Sequence, residues 1–245
     1  MEPSGRACPG RMRGARISST QEAIATPSLP LLGTARNDKE PGVTRDDALA
    51  LVREFVKNEG LVRHMLAVEA AMRAYAASFG EDPEPWGLSG LLHDFDWEIH
   101  PTLEHHPQDG APILRARGVP EPIIRCIQSH AEHTGVARQT TMEHALFACD
   151  EITGLITAVA LVRPSRSLLD MQVSSVRKKW KDGRFAANVR RDEIEVGASE
   201  LGLELWEHVG NVLRAMTGIA SDLGLDGSQT RVPSQGGLGE GPRAV

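Results

Sequence analysis

Apolar residues along the chain recur at spacings of three, four and seven. No stretch of strand length alternates apolar and polar positions between turn signals, so the pattern predicts helices. Thr44, followed by Asp46 and Asp47, reads as an N-cap with an acidic first turn. The helix it opens runs through Phe55 and stops near Asn58-Glu59-Gly60. Residues 61–79 form a second helix, closed by Gly80 and Asp82-Pro83. Pro85 opens a third, and Pro107 a fourth that ends at Gly118. Residues 121–130 make a fifth. Thr140-x-x-Glu143 is a capping-box pattern for a long helix to about Val162, where Arg163-Pro164 breaks it. Ser167-x-x-Asp170 is read as capping the next, which reaches Asp182-Gly183. The last two span residues 188–200 and 203–220. There is no internal repeat, and the expected fold is an all-α helical bundle.

The ends of the chain lack this periodicity. Residues 1–42 are rich in Gly, Pro, Ser and Arg, and residues 224–245 repeat that composition. Both are expected to be disordered extensions flanking a helical domain of residues 43–223. With 245 residues, 40% of them hydrophobic and 24% charged, the chain suits one globular domain with a real core. Four Trp, five Phe and one Tyr are few, so the core must rest on Leu, Ile, Val, Ala and Met, which again favours helix. A net charge of −6 argues against a duplex nucleic-acid partner. Cys8, Cys126 and Cys149 form no paired motif and suggest a reducing compartment. The longest apolar run, residues 156–162, is far short of a membrane span. A cytoplasmic protein without a membrane partner is expected.

Several polar residues stand where a helical stripe calls for apolar ones. His64 shares a face with Leu61, Ala67, Val68 and Ala71. His130 shares one with Ile123, Cys126 and Ile127. Asp150 follows Leu146 and Phe147 by four and three residues. His93 and Asp94 end the apolar run of Leu91-Leu92. A lone histidine on such a face is ordinarily a satisfied core residue, and Asp150 alone could pair with an arginine. As a set they read differently, because a buried carboxylate demands a compensating cation. His64, His93, Asp94 and Asp150, drawn from three helices, suit a divalent transition metal with room for water. His106 and His130 could join and make space for a second ion. His100, His105, His133, His144 and His208 are taken as surface or supporting residues.

The order His, His-Asp, His, His, Asp resembles the HD-domain superfamily of metal-dependent phosphohydrolases. "LLHDFDWE" is similar to that family's central motif, "HPQDGAPIL" and "IQSHAEHTG" to the histidine segments of two-metal members, and "ALFACDEITG" to the helix bearing the last aspartate. The larger region resembles bacterial HDIG-type proteins, with His93-Asp94-Phe95-Asp96 where those have His-Asp-Ile-Gly. The deoxynucleotidase branch has a glutamate where Trp97 stands. The cyclic-dinucleotide branch has paired histidines where Ser129 precedes His130. The spacing is closer to the branch that cleaves dinucleoside polyphosphates.

The resemblance implies an HD-type bundle that hydrolyses a phosphoester or phosphoanhydride bond of a nucleotide or related small molecule. The metal would be one or two ions of Mn, Fe, Co, Ni, Zn or Mg, held by His64, His93, Asp94, His106, His130 and Asp150. Asp94 would bridge the two ions, and Asp96, Glu98 and His133 are candidates for the general acid. Arg138, Arg163, Lys178 and Lys181 are candidates for binding substrate phosphate, against the plainer reading that cation runs solvate a helix face. Alternatives are an HD-fold diiron oxygenase and a non-catalytic HD signalling module; an oligomer is compatible with either.

Overall fold

The computed structural model describes residues 42–228. Among them the chain forms nine α-helices and no strand: α1 (Arg45–Phe55), α2 (Glu59–Phe79), α3 (Pro83–Leu92), α4 (Ala111–Ala116), α5 (Glu121–Ser129), α6 (Thr141–Leu161), α7 (Val173–Trp180), α8 (Arg191–Glu200) and α9 (Leu205–Gly218). The all-α expectation holds. Residues 1–41 and 229–245, most of the two expected extensions, lie outside the described residues.

Local chemistry explains most helix starts. Thr44 and Asp47 exchange side-chain and backbone hydrogen bonds in a capping box, as do Thr140 and Glu143. Asn58 caps α2, and Asp82 caps α3 ahead of Pro83, two residues earlier than Pro85 suggests. Two starts differ more. Pro107 opens no helix: residues 102–110 wind through successive turns, with His106 N–H donating to the Thr102 carbonyl and Asp109 N–H to that of His105, and α4 begins only at Ala111. Ser167 and Asp170 cap no helix either. Ser167 Oγ accepts from Leu169 N–H, while Asp170 pairs with Arg163 at 2.7 Å, and α7 starts at Val173.

The core has two parts, and α2 serves both. Its N-terminal half sends Val62 and Met65 to a cluster with α1, α3, α4 and α5, centred on Leu91, Leu92, Phe95, Leu114, Ile124 and Ile127. Its C-terminal half sends Ala67, Val68, Ala71, Met72 and Tyr75 to a larger cluster with α6 and α9. The backbones of α2 and α3 nearly touch at Gly90, where a Cβ would lie 2.9 Å from the Glu69 nitrogen. Any side chain there would drive the helices apart, and with them His64 and His93.

The helix α6 is apolar and long enough to span a membrane by composition, yet 61% of its most apolar window is buried inside the fold. It is the central core helix, apolar on nearly all sides because neighbours surround it. Packing also continues past the expected boundary at residue 224. Leu225 is buried, its carbonyl accepts from Leu168 N–H at 2.8 Å, and Ser167 bridges to Asp226.

Candidate metal centre

Six side chains from five segments converge beside the N-terminal turns of α2 and the middle of α6. His64 projects from α2 and Asp150 from α6. His93 is the C-terminal cap of α3 and keeps helical torsions, so Asp94 follows about 100° around the same turn. His130 caps the C-terminus of α5, and His106 comes from the turn-rich loop before α4.

Asp94 divides the centre in two. Its Oδ2 lies 3.4 Å from His93 Nε2 and 3.8 Å from His64 Nε2. Its Oδ1 lies 3.2 Å from His106 Nε2 and 3.8 Å from His130 Nε2. Asp150 Oδ1 completes the first half, 2.9 Å from His64 Nε2 and 3.5 Å from His93 Nε2. The donor atoms of His64, His93 and Asp94 fall within 4.8 Å of one another, and so do those of Asp94, His106 and His130.

The surrounding bonds orient all four rings alike. His93 Nδ1–H donates to the Gly90 carbonyl at 2.9 Å, and His130 Nδ1–H to the Ile127 carbonyl. His106 Nδ1–H donates to Asp96 Oδ1 at 2.8 Å. His64 Nδ1–H donates to Thr153 Oγ1 at 3.2 Å, whose own proton goes to the Asp150 carbonyl. Every Nε2 lone pair is thereby turned inward, the arrangement by which outer partners orient metal-bound imidazoles. Four imidazole nitrogens and two carboxylates face one another with no lysine or arginine among them. His64 Nε2 and His93 Nε2 stand 3.2 Å apart, so with both Nδ1 atoms donating outward a proton or a metal ion must lie between them. This donor set fits a divalent metal in each half.

The ionisation tendencies carry the same demand. Burial works against charge on His93, but Asp94 and Asp150 overcome it and hold its pKa well above the ordinary value. Burial likewise opposes charge on His106, and bonds to Asp94 and Asp96 raise it to about 9. Burial opposes ionisation of Asp94 and Asp150 too, yet the facing imidazoles hold both carboxyls far below the usual range. His130, buried beside His93 and farther from the carboxylates, is pushed down to about 4.

Above the centre opens a cavity of about 610 Å³. His64, Asp94, His106, His130 and Asp150 form its floor, and Trp97, Leu103, Glu132, His133, Glu151, Arg190 and Glu193 stand around it. Burial beside Asp150 raises the Glu151 carboxyl to about 7.

The other expected site residues are placed differently. Asp96 is fully buried, and its oxygens hold His106 at 2.8 Å and His100 at 3.2 Å, so it positions a ligand and offers no proton to the cavity. Glu98 accepts from the backbone N–H groups of Lys57 and Asn58 at the start of α2, away from the centre. His133 does reach the cavity, with Nε2–H donating to the His106 carbonyl at 2.7 Å. None of the four expected phosphate-binding cations lines it. Arg138 forms a two-pronged bond to Glu200 and stacks 3.7 Å over Phe147. Arg163 is held by Ser175 and Asp170. Lys178 and Lys181 sit at the exposed end of α7. Long cationic chains found carboxylate, aromatic or solvent partners where they stood.

His208, read as a surface or supporting residue, is a core histidine. Its Nδ1 accepts from the Tyr75 hydroxyl at 2.6 Å and its Nε2–H donates to the Ala148 carbonyl at 2.8 Å. Sequence reasoning missed Trp97, Leu103, Glu151, Arg190 and Glu193 as cavity residues. For the first three, closeness to a ligand in the chain was a usable signal. Arg190 and Glu193 lie about forty residues past Asp150 and carried none; the bond from Arg190 N–H to Glu151 brings their segment in.

The described residues thus form an all-helical fold in which one aspartate stands between two His-rich halves. The family model of the HD domain matches residues 61–155, a segment that contains all six converging residues. No curated protein and no solved structure matches the chain.

Proposed function

We propose that the protein is a cytoplasmic, metal-dependent phosphohydrolase that cleaves a phosphoester or phosphoanhydride bond of a nucleotide or related small molecule. The observation that carries this reading is the division of Asp94, one oxygen toward His64 and His93 and the other toward His106 and His130. Divalent ions held there would supply Lewis acidity, lowering the pKa of water and offsetting charge on phosphoryl oxygens. The chain's own residues do the rest. His64, His93 and Asp150 hold one side and His106 and His130 the other, with Asp96 and Thr153 keeping two rings aimed. The cavity above the centre opens to solvent on the same side, which admits a substrate phosphate. His133 is the ionisable side chain beside the second half that binds no ligand atom of the centre, and it is the candidate to give a proton to the leaving oxygen.

Purified full-length protein, loaded in turn with each divalent metal, should release inorganic phosphate from a panel of nucleotides and sugar phosphates. Metal bound without phosphate release from any compound would overturn the reading. The four-imidazole, two-carboxylate set also suits a diiron oxygenase, and the scarcity of free cations around the cavity favours that second reading. Mixed-valence iron together with oxygen consumption would establish it. A non-catalytic module is the weakest reading, because all six candidate ligands are present and converge.

A further inference from the structure

The lining of the cavity is of two kinds. An apolar lip is made of Trp97 and Leu103, large residues that remain 36% and 59% exposed. The Trp97 backbone N–H donates to the Asp94 carbonyl at 3.1 Å, and the indole ring meets His106 edge-on with ring centroids 4.9 Å apart. An acidic lip is made of Glu132, Glu151 and Glu193, with Arg190 among them. Arg190 is the lone Lys or Arg among the described residues that line the cavity. It is already committed to Asp192 at 3.1 Å and to Glu193 at 3.0 Å.

Single exposed apolar residues need no explanation, but two that line one polar cavity mark a binding surface. A phosphate anchored at the centre leaves its ester group beside Trp97 and Leu103. An indole face favours a planar partner, since base-aromatic stacking tolerates any base. Further phosphates would meet three carboxylates and one neutralised guanidinium.

Resting on the phosphohydrolase reading, we propose that Trp97 and Leu103 determine specificity by taking the planar, uncharged part of a phosphate monoester. The acidic lip turns away substrates with additional phosphates. The wall thus selects a monophosphate, against the dinucleoside polyphosphates that motif spacing alone suggests.

Three probes isolate the two claims: adenosine 5′-phosphate, ribose 5-phosphate without the base, and ATP with two more phosphates. They are compared on the metal-loaded full chain at constant free metal. The Michaelis constant is read where phosphate is released, and the dissociation constant by calorimetry where it is not. Adenosine 5′-phosphate should bind at least ~10-fold tighter than ribose 5-phosphate, and tighter than ATP. Trp97→Ala should weaken the adenosine compound by ~10-fold and leave ribose 5-phosphate unchanged, with Trp97→Phe restoring most of the loss. Leu103→Ala should shift it ~3-fold in the same sense. Metal content is measured in each variant, and Leu103→Ala decides the matter if Trp97→Ala loses metal. Equal affinity for the base-bearing and base-free probes, or variants that match the parent, would overturn the apolar lip. Tighter binding of ATP would overturn the charge restriction. Base-selective binding without phosphate release would sink the hydrolase reading and leave the lip standing.

Discussion

The two halves of the centre are built from different materials. The first half hangs His64 and Asp150 on α2 and α6, each 21 residues long and packed through the main core. The second depends on His106 in a loop of turns and on His130 at the end of the nine-residue α5. Rigid helices can aim a ligand with modest outer support, and a neutral hydroxyl, Thr153, suffices for His64. A loop cannot. His106 is aimed by the buried carboxylate of Asp96, and the loop closes on Asp96 only because residue 110 is glycine, where a Cβ would lie 2.7 Å from the Asp96 carboxylate. The lesson is that support is strongest where the backbone is least constrained by packing.

The largest effect should come from the residue both halves share. Asp94→Ala should remove metal from each and lower turnover by roughly three orders of magnitude or more, because several kcal/mol of charge stabilisation depend on it. Metal analysis and initial rates check this; a variant that keeps full metal would end the bridging account. His130→Ala should act on one half, taking a fully loaded sample from two ions toward one, with turnover down by about 100-fold or more. If its metal content stays at the parent level, His130 is an ordinary cap.

Asp96→Asn should weaken metal at the second half by about 10–100-fold and spare the first, since the amide still fills the space but loses the charge that orients His106. Titration with chelator-buffered metal would separate the halves, and equal losses in both would dissolve the distinction between them. Thr153→Val is the matching change in the first half and should cost less, about 10-fold or below, because a neutral hydrogen bond is worth about 1 kcal/mol. A larger loss from Thr153→Val than from Asp96→Asn would reverse the comparison.

The smallest effect is a pH dependence. In protein stripped of metal, the raised pKa of His106, about 9, contributes stability that is complete below its unfolded value near 6.5. That contribution is lost as pH rises through about 9. The melting temperature of stripped protein should therefore fall across this window. The gain on adding metal should grow across it, because bound metal no longer competes with that proton. Melting curves with and without metal from pH 6 to 9.5 would show it, and parallel curves would refute it.

Much of this was readable from residues alone. The N-cap at Thr44, the capping box at Thr140, the long α2 and α6, and the six converging side chains rest on signals within a few residues of one another. The failures share a cause. Ser167 and Asp170 had the composition of a cap but were drawn to Leu169, Ser165 and Arg163 instead. Arg138 looked free until Glu200, 62 residues on, took it. His208 looked like a surface residue until Tyr75, 133 residues away, supplied its partner.

The sequence by itself determined the helical class and the identity of the candidate ligands. Periodicity, caps and a carboxylate on an apolar stripe are properties of one turn or two, set by backbone hydrogen bonding and by the cost of burying charge. Only the tertiary structure decided which oxygen of Asp94 faces which histidines, that Asp96 orients His106, and that Trp97, Leu103 and three glutamates line one cavity. Those outcomes depend on which distant groups packing brings within about 3 Å, and hydrogen bonds and ion pairs are settled at that range.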